Sequence, residues 1–347
     1  MKKRLIGSLV VLFSLAIGLA GAELLLRLIQ PFRFAPKNDF HFGKPVLYRL
    51  SRNPDLGYEF RPNAATEAKG ITYLINRFGF RDIEQLQKKN GKRVVIAGDS
   101  LTFGWDLPLE ETYSFLTREA LRSRGRRLEI WAMGVTGYNT VQEYHLIRDQ
   151  ALRFDPDLVI LQICMNDFEK AISIRPDRER HFRLTQYHEI LIPYLVKKSK
   201  LSDWFMTRSY LFKFFNLKLA PLIRKLKRGF VVRDYYSLGT EDAVRHLKKT
   251  RELLSRTSCR FAAVIFPFRR DSMSPPYLAF QTAVRGALGD LGIPFLDLDD
   301  TLNPAGEEQR KLWIDYVHPN RTGNQRVAGK LADFIVSLTG GQNDGAK

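Results

Sequence analysis

Short, uninterrupted apolar runs recur from Arg93 onward, each bounded by charged residues or turn formers. The runs at 93–97, 128–132, 158–163, 261–266 and 293–296 have the length and side-chain character of buried strands. Helical spacing fills most of the gaps. It predicts a helix over 112–124 that starts at Thr112, with Phe115, Leu116, Ala120 and Leu121 on one face. A second is expected over 139–152, carrying Val141, Tyr144 and Leu146 to Leu152, and Phe154-Asp155-Pro156-Asp157 then stops and turns the chain. A last helix over 320–337 closes the pattern, with Pro319 suited to its first turn. Strands alternating with helices argue for a parallel sheet covered on both faces.

Three stretches break this rhythm. Lys2, Lys3 and Arg4 precede an uncharged run from Leu5 to Ala22. At ~1.5 Å per residue that run covers roughly 27 Å, close to the ~30 Å of a bilayer's hydrocarbon core. A secretory signal cleaved after Ala20-Gly21-Ala22 would account for it. A retained anchor accounts better for the apolar continuation through Ile29, in which Glu23 and Arg27 form an i,i+4 pair. Residues 1–34 are therefore read as a single-pass transmembrane helix that leaves the remainder on the far side of the membrane. Residues 35–90, rich in aromatics, prolines and asparagines, read as a packing collar that joins the anchor to the catalytic domain. Small strands are expected there around Tyr58–Asn63 and Ile71–Asn76, with a tight turn at Phe78–Asp82. Between about 169 and 257 a helical insertion separates the third strand from the fourth, and residues 341–347 read as a disordered tail.

The net charge of +18 points to an anionic surface. Neither zinc-finger spacing nor an aromatic-basic RNA-binding signature is present, so nucleic acid is not an expected partner. The insertion carries 11 Lys and Arg between Leu195 and Arg233 against one acid, Asp203, interleaved with Trp204, Phe205, Phe212, Phe214 and Phe215. Such a segment suits a membrane interface, and equally a lid whose basic side is solvated. Cys164 and Cys259 are too few for a disulfide framework or a thiolate metal site and read as buried free thiols.

Candidate chemistry centres on Gly98-Asp99-Ser100-Leu101 at the end of the first core strand. A serine at the carboxyl end of a parallel strand sits where open α/β sheets bind ligands. By itself Ser100 is equally well a helix cap. Near the far end of the chain, Asp315 and His318 stand three residues apart, so one turn of chain can bring the carboxylate under the imidazole. A serine nucleophile needs that pair: the imidazole takes the hydroxyl proton and the carboxylate fixes its tautomer. The other five histidines, His41, His145, His181, His188 and His246, lack a comparable setting. Two further strand ends offer donors for a developing oxyanion: Met133-Gly134-Val135-Thr136-Gly137 through backbone N–H groups, and Cys164-Met165-Asn166-Asp167 through the Asn166 side chain.

Gly98-Asp99-Ser100-Leu101, Gly134-x-x-Gly137, Asn166-Asp167 and Asp315-x-x-His318-Pro319 resemble, in order, the four blocks of the SGNH/GDSL hydrolase family. The resemblance spans about residues 93–338 and leaves the insertion unmatched. It implies a flavodoxin-like three-layer α/β/α sandwich with a five-stranded parallel sheet. It also implies Ser100 as nucleophile, His318 as base and Asp315 as its orienting acid. The implied oxyanion hole comprises the backbone N–H groups of Ser100 and Gly137 and the Asn166 side chain, with no metal or cofactor. Ala132 stands where family members commonly have asparagine, and Met165 where the residue is often small, which alters the cleft without removing a catalytic group. Asn76-x-x-Gly79-Phe80-Arg81-Asp82 and the amino-terminal helix resemble a membrane-tethered bacterial branch. The expected activity is serine-dependent hydrolysis of an extracytoplasmic ester, an acetylated glycan or a lipid, at the periplasmic face of the inner membrane. Transfer of an acetyl group to a polysaccharide is an alternative, and an inactive binding protein on the same scaffold is another.

Overall fold

The computed structural model describes residues 2–29, 47–53, 55–164, 167–168, 173–176, 182–185, 209, 211 and 230–340. The chain divides into two compact units, Met1–Asn38 with Tyr187–Tyr235, and Asp39–Gln186 with Tyr236–Lys347. Helix α1 (Lys2–Ile29) belongs to the first, where its Glu23–Arg27 pair closes at 2.8 Å. Apolar side chains on α1, among them Ile6, Val10, Phe13, Leu24 and Leu28, are exposed. Among the described residues no helix is long and apolar enough to cross a membrane, so the expected span is not established by the structure.

The second unit opens with two small antiparallel pairs. Strands β1 (Tyr48–Leu50) and β2 (Tyr58–Phe60) form one, β3 (Ala65–Ala68) and β4 (Ile71–Leu74) the other. The core sheet then begins at β5 (Lys92–Gly98). Helix α2 (Ser100–Phe103) and helix α3 (Tyr113–Ser123) lead to β6 (Leu128–Gly134), and helix α4 (Thr140–Asp149) leads to β7 (Leu158–Cys164). The described part of the insertion contributes a hairpin, β8 (Ser173–Pro176) with β9 (Phe182–Thr185), and helix α5 (Phe230–Leu254). The sheet resumes with β10 (Arg260–Phe266), helix α6 (Pro275–Asp290) and β11 (Phe295–Asp297). Helix α7 (Asp299–Leu302) and helix α8 (Arg321–Thr339) close the chain. The basic segment at 195–233 and the tail at 341–347 lie almost wholly outside the described residues.

The order β11-β10-β7-β5-β6 is parallel at every pairing. This is the doubly wound order in which the first strand in sequence lies inside the sheet, so the chain's direction of travel reverses between β5 and β7. Every residue of β7 is buried, as are six of seven in β5 and in β10. A strand buried on both faces reads as a continuous apolar run, which is why these strands were legible from sequence.

The two helices nearest the site bury other faces than periodicity indicates. On α3 the buried residues are Tyr113, Ser114, Thr117 and Leu121, because Tyr113 bonds Thr102 and its amide bonds Asn324. On α4 the buried set is Thr140, Gln142, Glu143, His145, Leu146 and Ile147, and the helix ends at Asp149. Hydrogen bonds such as Gln142 Nε2 to the Leu56 carbonyl at 2.7 Å let polar groups take the inner face. Helix α8 starts one residue later than expected: Asn320 caps it by accepting from Gly323 N at 3.1 Å, leaving Pro319 outside the helix in a bridge with Trp313.

The end of β6 presses directly on the turn after β5. A Cβ on Gly134 would sit 2.3 Å from the Phe103 backbone nitrogen and 2.6 Å from the Thr102 carbonyl carbon. Both neighbours are main chain and cannot swing away. Gly134→Ala is therefore expected to destabilise the fold by about 1–3 kcal/mol or more, read from chemical denaturation, and to displace the turn that carries Ser100.

Candidate active site

Strand β5 ends in a turn held from below. The Gln162 side-chain oxygen on β7 accepts from the Asp99 amide at 3.0 Å and from the Thr102 hydroxyl at 2.9 Å. The Val135 amide donates to the Gly98 carbonyl at 3.0 Å. Asp99, not Ser100, caps α2: its Oδ1 accepts from Leu101 N at 2.9 Å. Ser100 is thereby the first residue of α2, at the carboxyl end of β5, and its hydroxyl is released from the capping role.

That hydroxyl meets His318. Ser100 Oγ lies 2.9 Å from His318 Nε2, and His318 Nδ1 lies 2.8 Å from Asp315 Oδ2. The other Asp315 oxygen accepts from the amides of Val317 and His318, each at 2.7 Å, so the carboxylate is locked in the loop that presents the imidazole. Burial alone would raise the Asp315 carboxyl. The hydrogen bond and charge of His318 and the two amides outweigh it and hold the group down at about 2. An ionised carboxylate only accepts, so the Nδ1 proton points to Asp315, and Nε2 is the acceptor that faces the serine hydroxyl. Because this pKa lies below the unfolded value, the stabilisation is fully present above pH ~4 and is lost as the pH falls through about 2.

The loop under His318 is anchored on three sides. Ile314 N donates to the His318 carbonyl at 2.8 Å, and Trp313 Nε1 donates to the Leu302 carbonyl at 3.1 Å. Asn324 donates to the Pro319 carbonyl at 2.8 Å while accepting from the Tyr113 amide at 2.9 Å. Arg269 contributes its amide to the Tyr316 carbonyl at 2.9 Å and its guanidinium to the Asp315 carbonyl at 3.4 Å.

Of the expected oxyanion donors, Gly137 has φ 75°, in the left-handed region that glycine adopts without strain. Its neighbour Thr136 is held by two tyrosines of the amino-terminal pairs: the Tyr58 hydroxyl donates to the Thr136 carbonyl at 2.6 Å, and the Tyr48 hydroxyl meets the Thr136 hydroxyl. Asn166 lies outside the described residues, but the adjoining Asp167 accepts from Cys164 N at 2.7 Å and fixes the end of β7. Among the described residues no group of three His, Cys, Asp or Glu side chains is arranged to hold a metal ion. His145 and His246 are buried and their pKa values are lowered, first of all by burial. Cys164 and Cys259 are buried and not disulfide-bonded.

Sequence reasoning missed several residues at the site. The Trp105 ring stacks on the His318 ring with centroids 6.0 Å apart. Arg269 braces the Asp315–His318 loop, and Tyr48 and Tyr58 brace the loop at Thr136, yet no periodicity or motif marks them. Glu143 was missed for a different reason, since a charged residue on a helix reads as solvated. It is fully buried, and neither carboxyl oxygen has a hydrogen-bond partner among the described residues. Burial first, then the nearby Asp167 and Asp99, pushes its carboxyl well above the usual range, which favours the protonated form in the fold.

A folded state that keeps a proton which the unfolded chain releases loses stability as the pH rises above the unfolded pKa. The slope is up to about 1.4 kcal/mol per pH unit. Glu143→Gln keeps the shape and removes the titration. Its stability relative to the native chain is expected to increase as the pH rises above the ordinary carboxylate range and to converge toward pH ~4, read from denaturation at each pH. A gap independent of pH would show that Glu143 is ionised in the fold.

No curated protein matches the chain. Among solved structures, the chain is similar to the acetyl xylan esterase AlAXEase, with 15% identity over 70% of this chain and 100% of that one at a TM-score of 0.44. It is also similar to a member of the lipolytic protein G-D-S-L family from Veillonella parvula, with 14% identity, coverage of 71% and 99%, and a TM-score of 0.44. For a lipase/acylhydrolase from Enterococcus faecalis the values are 12%, 72%, 97% and 0.44. The model of the GDSL-like lipase/acylhydrolase family matches residues 96–326, about two thirds of the chain and the span from β5 into α8. With Ser100, His318 and Asp315 joined by hydrogen bonds inside that span, this chain belongs to the GDSL-like lipase/acylhydrolase family of ester-hydrolysing enzymes.

Proposed function

We propose that the chain cleaves an acyl ester by way of a serine-bound intermediate, with Ser100 as nucleophile, His318 as general base and Asp315 as the acid that orients it. The observation that carries this reading is the unbroken line from Ser100 Oγ through the His318 ring to Asp315, at 2.9 and 2.8 Å. As Ser100 Oγ attacks the ester carbonyl, its proton passes to His318 Nε2 and the carbonyl oxygen takes the negative charge. The backbone N–H groups of Ser100 and Gly137 and the Asn166 side chain are the proposed donors to that oxygen. Collapse expels the alcohol, which leaves with the proton from His318. Water then repeats the sequence on the acyl-enzyme, releasing the acid and restoring Ser100.

The proposed substrate is an ester outside the cytoplasm, on an acetylated glycan or a lipid. Support for the location comes from the sequence, in the basic start at Lys2-Lys3-Arg4 and the uncharged run Leu5–Ala22 that fits a single-pass anchor. Ile314 and Tyr316, the sequence neighbours of Asp315, are exposed apolar side chains suited to contact with either class.

Ser100→Ala is expected to lower hydrolysis of a short p-nitrophenyl ester by about 10³-fold or more. Asn166→Ala is expected to lower kcat by about 10²–10³-fold as one oxyanion donor is lost. Full activity in the serine variant would end the nucleophile assignment. Assays with esters of graded acyl length separate the substrate classes: a steep preference for acetyl selects glycan esters, and a preference for long chains selects lipid.

A further inference from the structure

Arg81 is 2% exposed, and its charge is met by carbonyls. One terminal nitrogen donates to the Phe103 carbonyl at 3.1 Å and the Gly104 carbonyl at 2.7 Å, and the other donates to the Leu107 carbonyl at 2.7 Å. The guanidinium lies over the Tyr73 ring at 4.3 Å and the Phe103 ring at 5.3 Å, which fixes its plane. All three acceptors belong to the end of α2 and the loop that follows, the continuation of the turn that begins at Ser100.

From those acceptors the path to the reacting groups is short. Gly104 N and Trp105 N both donate to the Ser100 carbonyl at 3.0 Å, and the Trp105 ring lies against His318. A displacement of Gly104 therefore moves the main chain of the serine and the ring that backs the histidine together. The sequence around Arg81 is built to deliver it. Asn76 Oδ1 accepts from the Phe78 and Phe80 amides at 3.0 and 3.1 Å, and Gly79 takes φ 88°. Asp82 then binds the edge of β6, accepting from the Ala132 amide at 3.0 Å and pairing with Arg118 at 2.6 Å.

We infer that Arg81 is a positioning residue for the Ser100–His318 pair, acting through Gly104 and Trp105. The inference rests on the assignment of Ser100 as nucleophile. It also explains the spacing Asn76-x-x-Gly79-Phe80-Arg81-Asp82: the asparagine closes the loop, the glycine turns it, and the two charged residues hold the nucleophile turn and the neighbouring strand. Lysine cannot replace Arg81, because a single ammonium cannot span three carbonyls from a rigid fork.

The test uses the full chain carrying Arg81→Lys and Arg81→Met, a short p-nitrophenyl ester, and a phosphonate that titrates the active serine. In variants that remain folded, kcat and the phosphonylation rate are expected to fall by about tenfold or more, with KM within about threefold. The titrated amplitude stays at one serine per chain. A structural role alone would lower the amplitude and leave the rate unchanged, and that result, or native kcat in both variants, overturns the inference. Where both fail to fold, Tyr73→Leu carries the test: it leaves Arg81 but removes the ring over its plane, and native kcat there overturns the inference. Ser100→Ala, run alongside, separates the two levels. Activity surviving in that variant removes the nucleophile assignment itself, whereas its loss together with native kcat in the Arg81 variants removes only the role of Arg81.

Discussion

The hydrogen bond between Ser100 and His318 joins two positions 218 residues apart in sequence. A bond of that kind forms only if both ends are held to within a fraction of an ångström before substrate arrives, since a misplacement of about 1 Å can lose a large part of the rate. Much of the second unit serves this constraint. The serine end is fixed by Gln162 from the neighbouring strand and by the contact with Gly134. The histidine end is fixed by Asp315, Asn324 and Arg269. The doubly wound strand order supplies the coarse placement, because the connections leaving the adjacent strands β5 and β7 turn in opposite directions and open a crevice at their carboxyl ends. Hydrogen bonds supply the fine placement.

The segment between Tyr48 and Asp82 is part of the same construction. Phe103 in the turn that begins at Ser100 stacks on Phe60 and on Tyr73, at 5.1 and 5.6 Å between centroids. Tyr48 and Tyr58 secure Thr136, beside the proposed oxyanion donor at Gly137. Burial raises the Tyr58 hydroxyl well above its usual value, so it stays protonated and remains a donor to the Thr136 carbonyl. The collar therefore reaches two of the loops that frame the site, through aromatic contact on one side and hydroxyl donation on the other.

Beneath the site the polar interior is less evenly satisfied. Gln162 and Asp99 use their oxygens on the turn at Ser100, and burial pushes the Glu143 carboxyl well above its usual range. Burying polar groups near a reactive centre weakens a core but defines one geometry for the main chain around it. The departures of α3 and α4 from simple amphipathic faces have this origin.

Strand content and the parallel-sheet class were legible in the sequence, as were the motifs that carry Ser100, Asp315 and His318, three side chains that the fold brings within hydrogen-bond reach. Continuous apolar runs admit few alternatives, and short motifs at strand ends are local features. The collar was visible only as a packing element, since its contribution depends on where Arg81, Asp82, Tyr48 and Tyr58 point, and no local pattern records that. The buried faces of α3 and α4 were misjudged because periodicity counts side chains by polarity, whereas Gln142 turns inward to bond the Leu56 carbonyl, Thr117 bonds the Tyr113 carbonyl of its own helix, and Glu143 is buried as well. What the sequence determined alone was the set of chemical groups and the topology that brings their segments to one crevice. Which of those groups meet, at what distance and in which charge state, was decided by the tertiary structure, because those properties depend on neighbours scores of residues away.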